Sequence, residues 1–453
     1  MNAAPRRTIL DLGPAFYDQV AAANFPQTIV RFRNNRAAAE VGLDGLSDAG
    51  WVAHFGRFAP LPDSLETPLA LRYHGHQFRV YNPDLGDGRG FLFAQLDAAR
   101  GRLMDLGTKG SGTTPWSRAG DGRLTLKGAV REVLATEMLE ALGVDTSRTL
   151  SVIETGEALE RGDEPSPTRG AVLVRLSHSH IRYGSFQRLA ALGDADGMAR
   201  LTAYVLENYF GTTDALDPYT TLIDHAVTNA AAQAAAMMAA GFVHGVLNTD
   251  NINITGECFD YGPYRFAQAW DPGFTAAYFD HHGLYSFGRQ PEALQWNVFQ
   301  LAGALRLVAP LESLKPSLEA FGERYNAALT AALLKRLGVA PRDPVSDRAL
   351  AEILVTTLEA TRTELDAFWF DWRGGMRRAP GYDAPEFDAF VKLVGDYAPA
   401  ALRDHAYWSD AAPCGLPIDE IEAIWERIAS ADDWSAFTAK VAAIRRMGAA
   451  MAA

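Results

Sequence analysis

Cysteine is nearly absent from these 453 residues: there are two, Cys258 and Cys414. They are too few for a disulfide framework and too far apart for a metal-ligand pair motif, and so sparse a thiol content fits a reducing cytoplasm. A positive surplus is missing as well. Lys and Arg number 42 against 55 Asp and Glu, a net charge of -13. That excludes a general nucleic-acid surface and leaves room only for a local basic pocket. Long apolar runs are missing too. The Ala-rich stretch at 230–240 is short and follows Asp224, His225 and Asn229, so it reads as a buried helix rather than a membrane span. The start, MNAAPRRTILDLG, has Arg6 and Arg7 but no apolar segment behind them, so no signal peptide is expected. No internal repeat or low-complexity linker interrupts the chain. What remains is a globular composition, long enough for one large bilobal domain or two to three smaller ones.

The stretch to about Ala70 reads as short helices and loops. FRVYNP, RGFLFAQLD and RLMDLGTKG then read as strands separated by turn signals such as DLGDGRG. From Gly122 the period changes to helix. Ala129, Val133, Leu134, Met138 and Leu142 recur at helical spacing, and Gly143 stops the run. TLSVIETGEAL and RGAVLVRLS read as two more strands, and from about Gly184 the chain is mostly helical. Strands and one helix first, helices after, is an α+β order and not a repeating βαβ pattern.

One loop carries the chemistry: FVHGVLNTDNINITGECFDYG, 242–262. A protein-kinase catalytic loop reads H-R-D-x-x-x-x-N and is followed by D-F-G. On that template His244 takes the His position, Asn251 the metal-binding Asn, and Asp260-Tyr261-Gly262 the D-F-G. The catalytic Asp position falls on Val246, which cannot accept a proton. Asn251 and Asp260 supply two oxygen ligands suited to a hard divalent cation that also binds phosphate. Upstream, GDGRG at 86–90 is a glycine turn where backbone N–H groups can approach phosphate. Lys109 ends the next strand, and Glu132 sits near the start of the following helix, where a kinase pairs such residues. Singly these features are bland: a hairpin turn, a surface lysine, a surface glutamate, an Asn/Asp turn. Together they stand in kinase order. The expectation is a bilobal protein-kinase-like fold with an N-terminal extension (1–70), an N-lobe (71–185), a helical C-lobe holding the catalytic loop (186–400) and a helical tail (401–453). Two further basic segments, GSGTTPWSRAGDGR and RLSHSHIRYGSFQ, offer Arg175 and Arg182 for phosphate. The pairs His74/His76 and His178/His180 lack a third ligand and read as hydrogen-bonded structural histidines.

At these residues the chain resembles the selenoprotein O family, whose members have a pseudokinase fold. The likeness runs from about Tyr73 to Leu305, through YHGHQFRVYNPDLGDGRG, LGTKGSGTTPWSRAGDGR, VREVLATEMLEALGV, HGVLNTDNINI, DYGPY and QPEALQWNVFQLAGAL. The resemblance implies transfer of AMP from ATP to Ser, Thr or Tyr hydroxyls of proteins, itself included, with Mg²⁺ or Mn²⁺. It also implies that ATP is bound flipped relative to kinases. Gly86, Gly88, Arg89, Asp121 and Gly122 would contact the nucleotide, and Lys109 would touch phosphate and pair with Glu132. Arg175 and Arg182 would hold the phosphate tail, Asn251 and Asp260 the metal, with Asp260 also near the nucleotide. Asp250 would be the proton acceptor, replacing the aspartate lost at Val246, its pKa lowered by the metal beside it. UMP transfer by the same site, phosphoryl transfer, and a nucleotide-binding scaffold without catalysis are the alternatives. The C-terminal region follows the family pattern only loosely. With no cysteine near the terminus or in DPGFTAAYFDHH, no redox link between these regions is expected.

Overall fold

The computed structural model describes residues 5–98, 101–162, 164–400 and 404–452. The first four residues of the expected N-terminal extension, and 401–403 at the start of the expected tail, lie outside the described residues. Seven strands define the sheet path: β1 (Tyr17–Gln19), β2 (Ile29–Arg33), β3 (Leu69–Leu71), β4 (Leu92–Asp97), β5 (Leu103–Lys109), β6 (Arg148–Leu159) and β7 (Thr168–Ser177). Their order is β1-β3-β4-β5-β7-β6-β2, every pairing is antiparallel, and Pro5–Arg6 and Leu124–Thr125 add to β4 and β7.

The region expected as helices and loops therefore supplies three strands of this path. Each is three to five residues long, too short for alternation to register in sequence. The expected helices are there as well, Asn35–Glu40 and Asp48–Phe55, and the second packs Trp51 and Phe55 with Phe93 of β4 on one face of the sheet. Residues 5–71 are thus built into the sheet, not appended to it. FRVYNP also differs from expectation. It belongs to a separate hairpin, Gly75–Gln77 with Val80–Asn82, turned by Phe78 and Arg79 at φ 49° and 65°.

Helix α1 (Leu126–Ala141) covers the opposite face of the sheet. Thr125 caps it, its hydroxyl accepting from Gly128 N–H at 3.1 Å. Val133, Leu134, Met138 and Leu139 are fully buried, and truncating one such side chain to Ala costs about 2–5 kcal/mol. Beyond β7 the chain is helical. Asp217 caps α2 (Pro218–Ala239), with Pro218 at its first position. Most of the Ala-rich run lies in this helix and, Ala232 and Ala236 apart, is buried, where small side chains admit close neighbours, α3 (Gln290–Leu305) among them. A second core gathers Phe368, Trp369 and Trp372 with Leu333 and Leu350. The last helices are α4 (Ile418–Ala431) and α5 (Ser435–Ala452), and α5 lies on α1. Among the described residues no helix is long and apolar enough to cross a membrane.

Candidate active site

Where the sheet meets the helical part there is a cleft of about 800 Å³. Gly86, Gly88, Arg89, Lys109, Asp121, Gly122, Arg175, Arg182, Asp250, Asn251 and Asp260 all line it, and so does Val246. Glu132 stands just behind. β5 ends at Lys109, whose Nζ donates to Glu132 Oε2 of α1 at 2.6 Å, with both side chains buried. Burial pushes the Lys109 ammonium pKa down, and Glu132 offsets this only in part.

Arg175 stands on β7 opposite Gly107 of β5, and Arg182 precedes the helix Tyr183–Leu192. Both guanidinium groups hold Asp260: Arg175 Nη1 donates to Oδ1 and Arg182 Nη2 to Oδ2 at 3.1 Å. The expectation gave these arginines to a phosphate tail. They have a carboxylate partner of their own, because a buried guanidinium without an anion is strongly unfavourable. Burial alone would raise the Asp260 pKa. The cations of Arg175, Arg182 and Lys109 outweigh it and hold the carboxyl well below its usual range. Asp260 also has φ 60°, a strained backbone for a non-glycine residue.

The loop at 244–251 is pinned from several sides. Buried His244 is kept neutral by desolvation, and its Nε2 lies 3.0 Å from Phe259 O. Asn248 Oδ1 accepts from Phe78 N–H and from Tyr285 O–H. The Thr249 hydroxyl accepts from His76 N–H and donates to Gln187 Oε1. Asn251 Nδ2 donates to Val246 O at 3.0 Å, which leaves its Oδ1 as the acceptor for anything else. Asp250 is 8% exposed, and its Oδ1 has no hydrogen-bond partner among the described residues. Burial pushes its pKa up to about 6 with no metal beside it, and the lowering expected from a neighbouring metal would act against that rise. Among the protein's own groups, desolvation outweighs Arg182.

GDGRG differs from its simplest reading. A Cβ on Gly86 would run into the Trp116 ring, and one on Gly88 would lie 2.9 Å from Trp116 O. The glycines thus seat the segment 110–123 as well as lining the cleft. Trp116 Nε1 donates to Asp18 Oδ2 at 2.9 Å, and Asp18 is also paired with Arg72. Thr114 Oγ1 donates to Asp87 O at 2.6 Å and Ser117 Oγ to Gly88 O. Asp121, at the outer end, is held by Arg161 at 2.8 Å, and Gly122 turns back on Gly112 with φ 69°. The four histidines are hydrogen-bonded: His74 to Tyr81, His76 to Gln187, His178 to Leu103 O, His180 to Arg175. Among the described residues no three His, Cys, Asp or Glu side chains gather as a cation cage.

Sequence reasoning passed over Asp87, Tyr73 and Phe259. Asp87 Oδ1 lies 3.3 Å from Arg182, the Tyr73 ring lies 4.4 Å from its guanidinium, and Phe259 stacks on both arginines at 4.9 Å. Each lies within a stretch read for other residues. A charged residue between two glycines was the available signal for Asp87.

The family model described as protein adenylyltransferase SelO matches residues 1–379. The chain belongs to the SelO family. Relatives of this SelO chain carry the name protein nucleotidyltransferase YdiU. One from Gloeobacter violaceus is 45% identical, with 96% of this chain and 93% of the relative covered. One from Trichormus variabilis is 41% identical (96% and 94%), and one from a Synechocystis strain 39% identical (96% and 97%). SelO proteins are nucleotidyltransferase enzymes by those names, and in this member Lys109, Arg175, Arg182, Asp250, Asn251 and Asp260 line one cleft.

Proposed function

We propose that this protein transfers AMP from ATP to Ser, Thr or Tyr hydroxyls of proteins, its own chain included, on a kinase-like two-lobed scaffold with an N-lobe at 71–185, a C-lobe at 186–400 and a tail at 401–453. The observation that carries the reading is one of placement. Lys109, Arg175, Arg182, Asn251 and Asp260 share a cleft with the buried Asp250 carboxylate, whose Oδ1 has no hydrogen-bond partner among the described residues, while a valine stands at the kinase base position.

The donor set suits a hard divalent cation. Asn251 Oδ1 and the Asp260 carboxylate are oxygen ligands, and Mg²⁺ or Mn²⁺ is held by few protein oxygens when substrate phosphates complete the shell. Such an ion, when bound, withdraws charge from the phosphate oxygens. Everything else falls to the protein. The acceptor hydroxyl attacks the α-phosphorus, the bond to pyrophosphate breaks, and the hydroxyl proton passes to Asp250. Burial raises the Asp250 pKa in the metal-free protein, a neighbouring cation would lower it, and the carboxylate is then ionised and able to take the proton. Lys109, Arg175 and Arg182 are fixed cations for the leaving pyrophosphate, and fixed charges need no reorganisation during reaction. Both arginines can turn to phosphate because it exchanges one anion for another. The resemblance implies flipped ATP, with its α-phosphorus toward Asp250, and a carboxylate at 250 with a valine at 246 fits that orientation. Two free thiols favour the cytoplasm as the compartment.

ATP labelled at the α or the γ position tests the reading. Label on protein from α alone is the expected result. Label from γ alone makes the protein a kinase, and label from neither makes it a scaffold. UTP labelled at α separates UMP from AMP transfer.

A further inference from the structure

The helix that presents Glu132 is gripped from behind by the end of the chain. Glu422 of α4 accepts from Lys127 Nζ at 2.6 Å and lies 3.6 Å from Arg131 Nη1, so it meets the first turns of α1. Arg131 also stacks on Tyr264 at 4.9 Å and donates to Tyr264 O at 3.2 Å, while Tyr264 O–H returns a bond to Arg131 O at 2.7 Å. Tyr264 lies four residues beyond Asp260. At the other end of α1, Arg445 of α5 donates to both oxygens of buried Glu137, at 2.6 and 2.7 Å. Gly448 meets Ala141 so closely that a Cβ there would sit 3.1 Å from the Ala141 Cβ. The inner side of α1 meanwhile holds Glu132 against Lys109. Glu422, Arg445 and Gly448 lie beyond the part matched by the family model, which ends at 379.

We infer that α4 and α5 act as a strap that sets the Lys109–Glu132 pair, with Glu422 and Arg445 as positioning residues for the nucleotide site. The buried side chains of α1 fix the helix on the sheet, and the ties at its outer face set how closely its first turns are held there. If the tie at Lys127 and Arg131 is lost, α1 can shift outward and Glu132 withdraws from Lys109. Lys109 is buried, and without its carboxylate the ammonium is disfavoured, so its grip on phosphate weakens. The link to transfer rests on the function proposed above. The link to ATP binding does not.

The test compares the full-length protein with Glu422→Gln, Lys127→Gln, the double variant, Glu422→Asp and Glu426→Gln. Glu426 is exposed one turn further along the same helix and serves as the control for an identical chemical change. ATP affinity, α-label transfer and the melting midpoint are measured for each. Glu422→Gln and Lys127→Gln should each lower ATP affinity and transfer about fivefold, the most one half-exposed ion pair is expected to transmit. The double variant should lose no more than either single change. Glu422→Asp should recover most of the loss, and Glu426→Gln should match the parent. The strap is refuted if Glu422→Gln behaves as Glu426→Gln does, or if the two single losses add. It is refuted equally by a loss that only follows the melting midpoint and is not recovered by Glu422→Asp. If the parent binds ATP but transfers no α-label, the functional reading fails, and the affinities still decide the strap. If it binds no ATP, both fail.

Discussion

Asp260 and Asp432 share a local design. Each has a left-handed backbone, at φ 60° and 50°, and each bridges two arginines: Arg175 and Arg182 in the cleft, Arg31 and Arg169 on the outer side of the sheet. They differ in their access to water. The cleft arginines are 5% and 3% exposed and the outer pair 16% and 28%, with Asp432 itself at 50%. In water such a bridge adds at most about 1 kcal/mol. Buried, it cannot lose one member without stranding the others, at about 3–5 kcal/mol. The outer cluster therefore stitches α4 to the sheet, whereas the inner one, on the function proposed above, holds charge in reserve for an anion of the right shape. The same residues in the same arrangement give a fastening or a binding site according to burial.

Four substitutions probe that contrast, from the largest effect to the smallest. Asp260→Asn should abolish transfer and lower unfolding free energy by about 3–5 kcal/mol, since buried Arg175 loses its anion and Arg182 keeps only Asp87. Urea titration and α-label transfer measure both, and a stability loss under about 1 kcal/mol would make the inner cluster no different from an exposed one. Asp250→Ala should slow transfer about 10²–10⁴-fold with ATP affinity unchanged, because this carboxylate lacks a cation partner and its role is with the acceptor. Full transfer by that variant would remove it as the proton acceptor. Gly86→Ala should raise the KM for ATP about tenfold through overpacking against Trp116, with kcat little altered; an unchanged KM would mean the segment 110–123 can shift at no cost. Asp432→Asn should lower stability by no more than about 1 kcal/mol. Its hydrogen bonds to Arg169 and Trp434 bring the Asp432 pKa down to about 2. A depressed carboxyl stabilises the fold above its unfolded pKa and loses that contribution as pH falls through the folded one. The gap between parent and Asp432→Asn should then be constant above pH 5 and close between pH 4 and 2; a gap that widens in acid would contradict this.

The sequence made α1 legible because Ala129, Val133, Leu134 and Met138 recur at helical spacing before a glycine stop, and β4 to β7 legible because they are long. It made the site residues legible because they stand in kinase order around one loop. It could not reveal β1, β2 and β3, where a few residues leave no period to count. Nor could it reveal that Trp116 bonds to Asp18, 98 residues away, or that Gly86 is the seat for its ring. A glycine looks the same in sequence whether a phosphate or an indole needs the space. Asp250 shows the limit for chemistry. Its place beside Asn251 was plain, but the burial that shifts its pKa is a property of the folded surroundings.

The clasp at Asp432 and Arg445 also bears on how the molecule is made. Arg31 and Asp432 are 401 residues apart, and Asn34 and Arg445 are 411 apart. During synthesis β2 and the outer face of α1 emerge hundreds of residues before the helices that cover them. The first half of the chain therefore waits, with one sheet edge and one helix face uncovered, until α4 and α5 have been made. Loops this long close slowly, and an uncovered edge strand invites pairing with another chain. A nascent chain stalled before α4 would expose those surfaces for as long as the stall lasts, which makes it a substrate for chaperones at a stage when the nucleotide cleft already has all its residues.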